Sequence, residues 1–287
     1  TKVMTITGGA GLDTLTGGAG PDVISGGAGG TTGTGLDGGA GNDIITGGTG
    51  NDTIDGGTGN DTITASAGNN TVVGDTGNDI ITTGAGNDII TTGTGTDTVD
   101  AGAGNDSITS AVGADIIDGG AGTDTYVTDS TQIAASIEGA GTGTSNGMVI
   151  NLGATAVTNS AVLSATTDQH LAGNLASVAS GSAAYLYASS LVTDSTVVDT
   201  ISNFENVTLT GNGDNYVVGS ATANTITLSA TGADIVDTGA GNDIIVAASG
   251  GYITTADILT GGAGTDALHI TNVAGANAAV DDIATIE

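Results

Sequence analysis

The chain repeats itself every nine residues, and that period limits what it can fold into more than any other feature. From Gly38 to Val127 it divides into ten nonapeptides without insertion or deletion: GGAGNDIIT, GGTGNDTID, GGTGNDTIT, ASAGNNTVV, GDTGNDIIT, TGAGNDIIT, TGTGTDTVD, AGAGNDSIT, SAVGADIID and GGAGTDTYV. Two further units, GGAGLDTLT from Gly8 and GGAGPDVIS from Gly17, precede them, and a three-residue insertion between Gly26 and Asp37 shifts the phase. Position four is Gly in all ten units, and position six is Asp in nine of ten, with Asn70 the exception. Position eight is large: Ile45, Ile54, Ile63, Val72, Ile81, Ile90, Val99, Ile108, Ile117 and Tyr126. Three positions held in phase over this length set the chain apart from a disordered acidic, Gly-rich polymer.

Each position has a physical reading. Gly in the first half of the unit permits positive φ and a tight turn. The closing x-aliphatic-x is a minimal strand with one side chain turned inward. A turn and a strand make half a coil, so two units complete one coil whose strands join two parallel sheets, with coils about 4.8 Å apart. Residues eighteen apart then stack. Asp43, Asp61, Asp79, Asp97 and Asp115 form one column; Asp52, Asn70, Asp88, Asp106 and Asp124 form the other. Carboxylates stacked about 5 Å apart repel by about 3 kcal/mol per pair at an effective dielectric of about 20. A hard divalent cation reverses the sign, and carboxylates with turn carbonyls offer the all-oxygen shell that Ca²⁺ prefers; Mg²⁺, smaller and reluctant to shed water, substitutes poorly. A core one aliphatic residue thick is thin against the entropy of ordering nine residues, which makes the ion part of the fold.

The unit G-G-x-G-x-D-x-(aliphatic)-x resembles the RTX nonapeptide of calcium-binding β-roll proteins, over about 8–127 and more loosely over 210–269. The resemblance implies an all-β fold: a right-handed parallel β-roll, or β-solenoid, with calcium-bound turns. It also implies export by type I secretion, with the chain unfolded inside the cell and folded on Ca²⁺ outside. The expected metal residues are Asp13, Asp22, Asp43, Asp52, Asp61, Asp79, Asp88, Asp97, Asp106, Asp115, Asp124, Asp234, Asp243, Asp257 and Asp266. The unit with Asn70 is expected to hold its ion weakly or not at all. The turn of SAVGADIID, which lacks the opening glycines, is less firmly specified by the repeat although it keeps Asp115. Asp55, Asp100 and Asp118, at position nine, are expected to point outward and solubilise rather than ligate.

The rest of the chain is read as follows: 1–127 a first repeat block, 128–209 a non-repeat β-rich segment, 210–269 a second repeat block, and 270–287 a cap or the start of a further segment. GMVINL (147–152), AYLYASSLV (184–192) and STVVDTI (195–201) read as strands. TDQHLAGNLASVASG (167–181) has Leu171, Leu175 and Val178 at helical spacing, which predicts a short helix. The second block opens with TGNGDNYVV and GSATANTIT, which carry Asn215 and Asn224 where Asp is expected, and therefore fewer ions.

Composition excludes several functions. The 287 residues hold 31 acids against one basic residue, Lys2, for a formal charge of -30. One Lys cannot displace counterions from nucleic acid, and an anionic membrane surface repels such a chain. No apolar run of about eighteen residues is present to insert in a bilayer. Without Cys there are no disulfides, thiol nucleophiles or Cys zinc sites. The start shows no signal-peptide pattern, and the end falls mid-pattern, as expected for a piece of a longer chain.

No catalytic residues are expected. The two histidines, His170 and His269, stand in no metal-binding motif and read as surface or packing residues. No G-x-S-x-G elbow occurs, and five Tyr and one Phe are too few for a sugar-cleaving cleft. The first functional expectation is an extracellular, calcium-binding, non-enzymatic structural protein, similar in its Thr/Ala/Ser-rich composition to RTX-type bacterial surface-layer proteins. Its partners would be further copies of itself, in a lattice or filament, and a cell-surface polysaccharide. The alternatives are a secretion and folding module of a larger exported enzyme or toxin, and an adhesin stalk.

Overall fold

The computed structural model describes residues 2–28, 33–111, 113–129, 147–152, 157–158, 177–178, 182–186, 198–210, 215–228, 234–247, 253 and 257–270. All regular structure among them is β, and the chain divides into two compact units.

The first unit comprises Thr1–Tyr126 with Ile201–Phe204. Its strands, in chain order, are β1 (Thr5–Thr7), β2 (Thr14–Ala19), β3 (Val23–Ser25), β4 (Gly35–Ala40), β5 (Ile44–Thr49), β6 (Thr53–Asp55), β7 (Thr62–Ala67), β8 (Thr71–Val73), β9 (Ile80–Thr82), β10 (Ile89–Thr91), β11 (Thr98–Asp100), β12 (Ser107–Ser110), β13 (Ile116–Asp118) and β14 (Thr125–Asp129). Odd-numbered strands build one sheet and even-numbered strands the other, so successive nonapeptides alternate between sheets. The strand pairs are parallel, with Ile45 opposite Ile63, Ile63 opposite Ile81, and Ile90 opposite Ile108, each eighteen residues on. Across the insertion the register becomes Leu15 opposite Leu36 and Ile24 opposite Ile45. The extra three residues therefore lie in the connection and leave the strands in step.

Position eight faces inward throughout. Ile45, Ile54, Ile63, Val72, Ile81, Ile90, Val99, Ile108, Ile117 and Tyr126 are all buried, joined by Ile24 and Leu36. Each contributes about 2 kcal/mol of apolar burial. The last rung is covered by the return of Ile201–Phe204. Gly119 N–H donates to the Ser202 carbonyl (3.0 Å), and the Tyr126 and Phe204 rings meet edge to face, 5.6 Å apart at 73°.

The second unit comprises Val127–Thr200 and Glu205–Glu287. Its strands include β15 (Gly147–Asn151), β16 (Val157–Thr158), β17 (Ser177–Val178), β18 (Ser182–Leu186), β19 (Val198–Ser202), β20 (Asn206–Thr210), β21 (Tyr216–Val218), β22 (Thr225–Leu228), β23 (Ile235–Asp237), β24 (Ile244–Ala247), β25 (Ile258–Thr260) and β26 (Ala267–Ile270). The repeat strands β21, β23 and β25 stack in parallel, as do β20, β22, β24 and β26. Between the repeat blocks the pairing changes hand: β15 runs antiparallel to β18, and β18 antiparallel to β19. Without the glycine turn the chain reverses instead of coiling onward.

The expected strands over 147–152, 184–192 and 195–201 meet β15, β18 and β19 over their described parts. The helix expected over 167–181 falls mostly outside the described residues. Where it is described, at Ser177–Val178, the chain is instead a strand paired antiparallel with Val157–Thr158. Local helical spacing of apolar residues loses there to a partner strand.

Candidate metal centre

The turns are shaped by glycine. Position four takes a positive φ, as at Gly59 (φ +134°), where a Cβ would overlap the Gly41 carbonyl one coil back. No other residue fits, which accounts for the invariant Gly. In SAVGADIID a Cβ on the corresponding Gly113 would likewise overlap the Gly95 carbonyl one coil back. Position one keeps space open near the carboxylate. A Cβ on Gly56 would stand 2.8 Å from both Asp61 Oδ2 and the Gly74 carbonyl oxygen.

That shape draws the position-six side chain inward. Asp22, Asp43, Asp52, Asp61, Asp79, Asp88, Asp97, Asp106, Asp115 and Asp124 are all buried. Each uses Oδ1 to accept the position-six N–H of the preceding coil. The Asp43 N–H donates to Asp61 (2.7 Å), the Asp61 N–H to Asp79 (2.8 Å), the Asp79 N–H to Asp97 (2.8 Å) and the Asp97 N–H to Asp115 (2.9 Å). The second column runs from Thr34 through Asp52, Asn70, Asp88 and Asp106 to Asp124, with bonds of 2.6 to 2.9 Å. The two columns are those expected from the period.

The other carboxylate oxygen has no such partner. Oδ2 of Asp22, Asp43, Asp52, Asp61, Asp79, Asp88, Asp106, Asp243 and Asp266 is buried without a hydrogen-bond donor. With Lys2 exposed and the chain's sole Lys or Arg, no basic side chain is at hand to neutralise these rows. A bare buried carboxylate oxygen is costly. Burial first, and then neighbouring aspartates, push Asp61 and Asp106 up to about 6, opposed by the ladder hydrogen bonds. Asp43 and Asp79 are raised for the same leading reason.

A calcium ion fits this donor set. The open groups are carboxylate and carbonyl oxygens, hard ligands of the type Ca²⁺ takes in sets of about six to eight. No group of three or more His, Cys, Asp or Glu side chains converges among the described residues. Backbone carbonyls must therefore supply much of each shell, which is what closely stacked glycine turns provide.

The remaining expected residues are placed less uniformly. Asp13 is half-buried and accepts the Gly9 N–H with Oδ2 (2.7 Å). Asp234 accepts from Asn215, Asp243 from Asn224, Asp257 from Asp234 and Asp266 from Asp243, a ladder of the same kind within the second unit. Asp55 and Asp100 are exposed, as expected. Asp118 is not a free surface charge: its Oδ1 accepts from Asn203 Nδ2 (2.7 Å) and Gly120 N–H (3.1 Å), which fastens the returning segment. His269 is exposed, and His170 lies outside the described residues.

One element of the turn was missed from sequence. Asn at position five forms a second ladder in the opposite direction: the Asn60 N–H donates to Asn42 Oδ1 (3.0 Å), the Asn78 N–H to Asn60 (2.9 Å) and the Asn105 N–H to Asn87 (2.9 Å). Its signal was present, since position five is Asn in seven of the ten units. Turns with Asn at position five are thus stapled both forward and back.

A parallel β-solenoid whose stacked glycine turns hold buried carboxylates defines a class of calcium-dependent repeat protein. The family model of the RTX calcium-binding nonapeptide repeat matches residues 5–32, 36–63, 64–99, 91–126, 209–245, 230–252 and 254–269. These segments cover more than half of the chain, which therefore belongs to that family and binds multiple calcium ions. It is an extracellular calcium-binding protein, and its repeat fold is not a known enzyme fold. Comparison with curated proteins gives no match. No helix among the described residues is long and apolar enough to cross a membrane.

Proposed function

We propose that the chain is a non-enzymatic structural protein, exported unfolded and folded outside the cell by calcium, that assembles side by side or end to end into a surface layer or filament. The carrying observation is the row of buried, donor-less Oδ2 atoms, from Asp22 through Asp43, Asp61 and Asp79 in one column and at Asp52, Asp88 and Asp106 in the other. These aspartates, with Asp243 and Asp266, would hold the ions together with turn carbonyls. Bound calcium supplies the positive charge that the chain itself lacks. In calcium-poor surroundings the unpaired carboxylates oppose closure of the coils, and in calcium-rich surroundings they drive it.

Assembly is supported by the outer face of the odd-numbered sheet. Val23, Ile44, Thr62, Ile80, Thr98 and Ile116 lie in one column at matching register, and Val23, Ile44, Ile80 and Ile116 are exposed. A regular apolar and Thr-lined stripe on a flat sheet suits packing against another flat surface. Circular dichroism with EGTA, followed by calcium addition, tests the folding step: the β signal of the first repeat block, 8–127, disappears and returns. A spectrum unchanged by EGTA contradicts it. Electron microscopy of the calcium-loaded protein tests assembly; dispersed single particles at high concentration would count against a layer or filament.

A further inference from the structure

The rungs are not equivalent in how their buried side chains are satisfied. Asn70, 1% exposed, occupies an aspartate position. Its Oδ1 accepts the Asp52 N–H (2.9 Å), which fixes the orientation of the amide. The Nδ2, standing where an aspartate would place Oδ2, donates to the Gly68 carbonyl of its own turn (3.0 Å). No bare oxygen remains. In the second unit, Asn224 Nδ2 donates to the Glu205 carbonyl (2.6 Å) and to Ser220 Oγ (3.0 Å), while its Oδ1 accepts the Ser220 N–H (2.8 Å). Asn215 Nδ2 donates to Asp234 Oδ1 (2.8 Å).

Asp115 reaches the same end by another route. Its turn carries Ser110 at position one, and Ser110 Oγ donates to Asp115 Oδ2 (3.0 Å), with Thr92 Oγ1 at 3.4 Å. The hydroxyls stand where a cation would be needed.

We propose that Asn70, Asn215, Asn224 and the Ser110–Thr92 pair at Asp115 are built-in substitutes for calcium, so that their rungs remain ion-free while neighbouring rungs are loaded. An amide N–H bonded to a turn carbonyl does in place what an ion does elsewhere: it puts partial positive charge against carbonyl oxygen and removes one negative charge from the column. A hydroxyl donating to a carboxylate lowers the need for a cation without removing the charge. Asp115, expected from sequence to be a ligand, is assigned to this second kind. Asn70 thereby divides its column, with Asp52 on one side and Asp88, Asp106 and Asp124 on the other, whereas Asp22, Asp43, Asp61, Asp79 and Asp97 run without a plug. In the second repeat block the turn at Asn224 closes without calcium.

This inference rests on calcium occupying the aspartate turns, and the test separates the two. Bound calcium per chain is counted by native mass spectrometry on the full chain, for wild type, Asn70→Asp and Ser110→Gly. Each substitution removes one plug and exposes a carboxylate oxygen, so each variant gains one ion per chain over wild type. Thermal melts across a calcium titration supply a second readout: in Asn70→Asp the melting temperature rises more steeply with calcium than in wild type, as an added ion site requires, and an equal slope counts against the amide rungs. An unchanged ion count in a folded Asn70→Asp removes the amide rungs from the proposal, an unchanged count in a folded Ser110→Gly removes the hydroxyl rung, and failure of both overturns it. A wild type that binds no calcium overturns the underlying reading instead.

Discussion

The two repeat blocks keep one hydrogen-bond ladder on different chain spacings. In the first, position-six residues are bonded at intervals of eighteen, as from Asp43 to Asp61 and Asp61 to Asp79, and of twenty-one across the insertion, from Asp22 to Asp43. In the second, the intervals are nineteen, from Asn224 to Asp243, and then twenty-three, from Asp234 to Asp257 and Asp243 to Asp266. The ladder therefore depends on which side chain arrives at position six, not on how many residues separate the arrivals. Insertions are absorbed in connections, as between Gly26 and Asp37 in the first block, because the strands carry the register and the turns carry the polar contacts. What differs is the charge. The first block stacks aspartate on aspartate, while the second opens with Asn215 and Asn224 and reaches aspartate only in its later coils. The first is predominantly an ion-held stack and the second begins as an amide-held one.

Paired substitutions break this comparison most sharply. Asp79→Ala removes both the bond to the Asp61 N–H and a donor-less carboxylate from the longest aspartate column, and is expected to lose one calcium ion and about 3 kcal/mol of calcium-loaded stability. Asn224→Ala removes the amide's bonds to the Glu205 carbonyl and to Ser220 and is expected to cost about 1–3 kcal/mol with no change in ion count. Asp55→Ala, on the exposed face, stays within about 0.5 kcal/mol. Urea unfolding with native mass spectrometry checks all three. Equal ion loss from Asp79→Ala and Asp55→Ala would show the inward and outward positions to be misassigned.

Acidity offers a second contrast. Burial pushes Asp61 and Asp106 up to about 6 in the metal-free fold, against an ordinary value of 3.8. The folded state thus holds these protons more tightly than the unfolded chain. Their contribution to metal-free stability is fully present below the ordinary value and is lost as pH rises through about 6. In EGTA the β signal of the first block should therefore grow on acidification from about pH 7 to about pH 4.5, while calcium affinity falls over the same window as protons compete for the carboxylates. Circular dichroism in EGTA across that range checks it, and a β signal that shrinks on acidification would contradict the sign.

The smallest expected effect concerns turn geometry. Position two takes positive φ, and Ser66 (φ 78°) and Asp75 (φ 73°) adopt it without being glycine. Asp75→Gly relieves that strain and is expected to raise stability by about 0.5–1 kcal/mol, with the melting temperature as the readout.

Much of this architecture was legible in the period. The inward aliphatic at position eight, the invariant Gly at position four and the two aspartate columns follow from a nine-residue repeat folded into half-coils. The Asn ladder at position five was not read, because Asn there is also an ordinary turn residue and its bond partner lies eighteen positions away. The plugs at Asn70 and Asp115 depend on where an amide or hydroxyl lands within a turn, which spacing alone does not specify. Asp118 was read as a surface charge because its partner, Asn203, comes from 85 residues later in the chain. The antiparallel pairs of 147–200 lie where the repeat lapses, and of the helix expected over 167–181 only Ser177–Val178 is described, where pairing of β17 with β16 makes it a strand.

The central claim is that cations stand against the inward carboxylate oxygens. Anomalous scattering from crystals grown in calcium tests it most directly. The account predicts calcium peaks within ligand distance of Oδ2 of Asp22, Asp43, Asp61, Asp79, Asp52, Asp88 and Asp106, and none beside Asn70. A map in which those carboxylates turn out to solvent, or remain inward with no peak beside them, would contradict it.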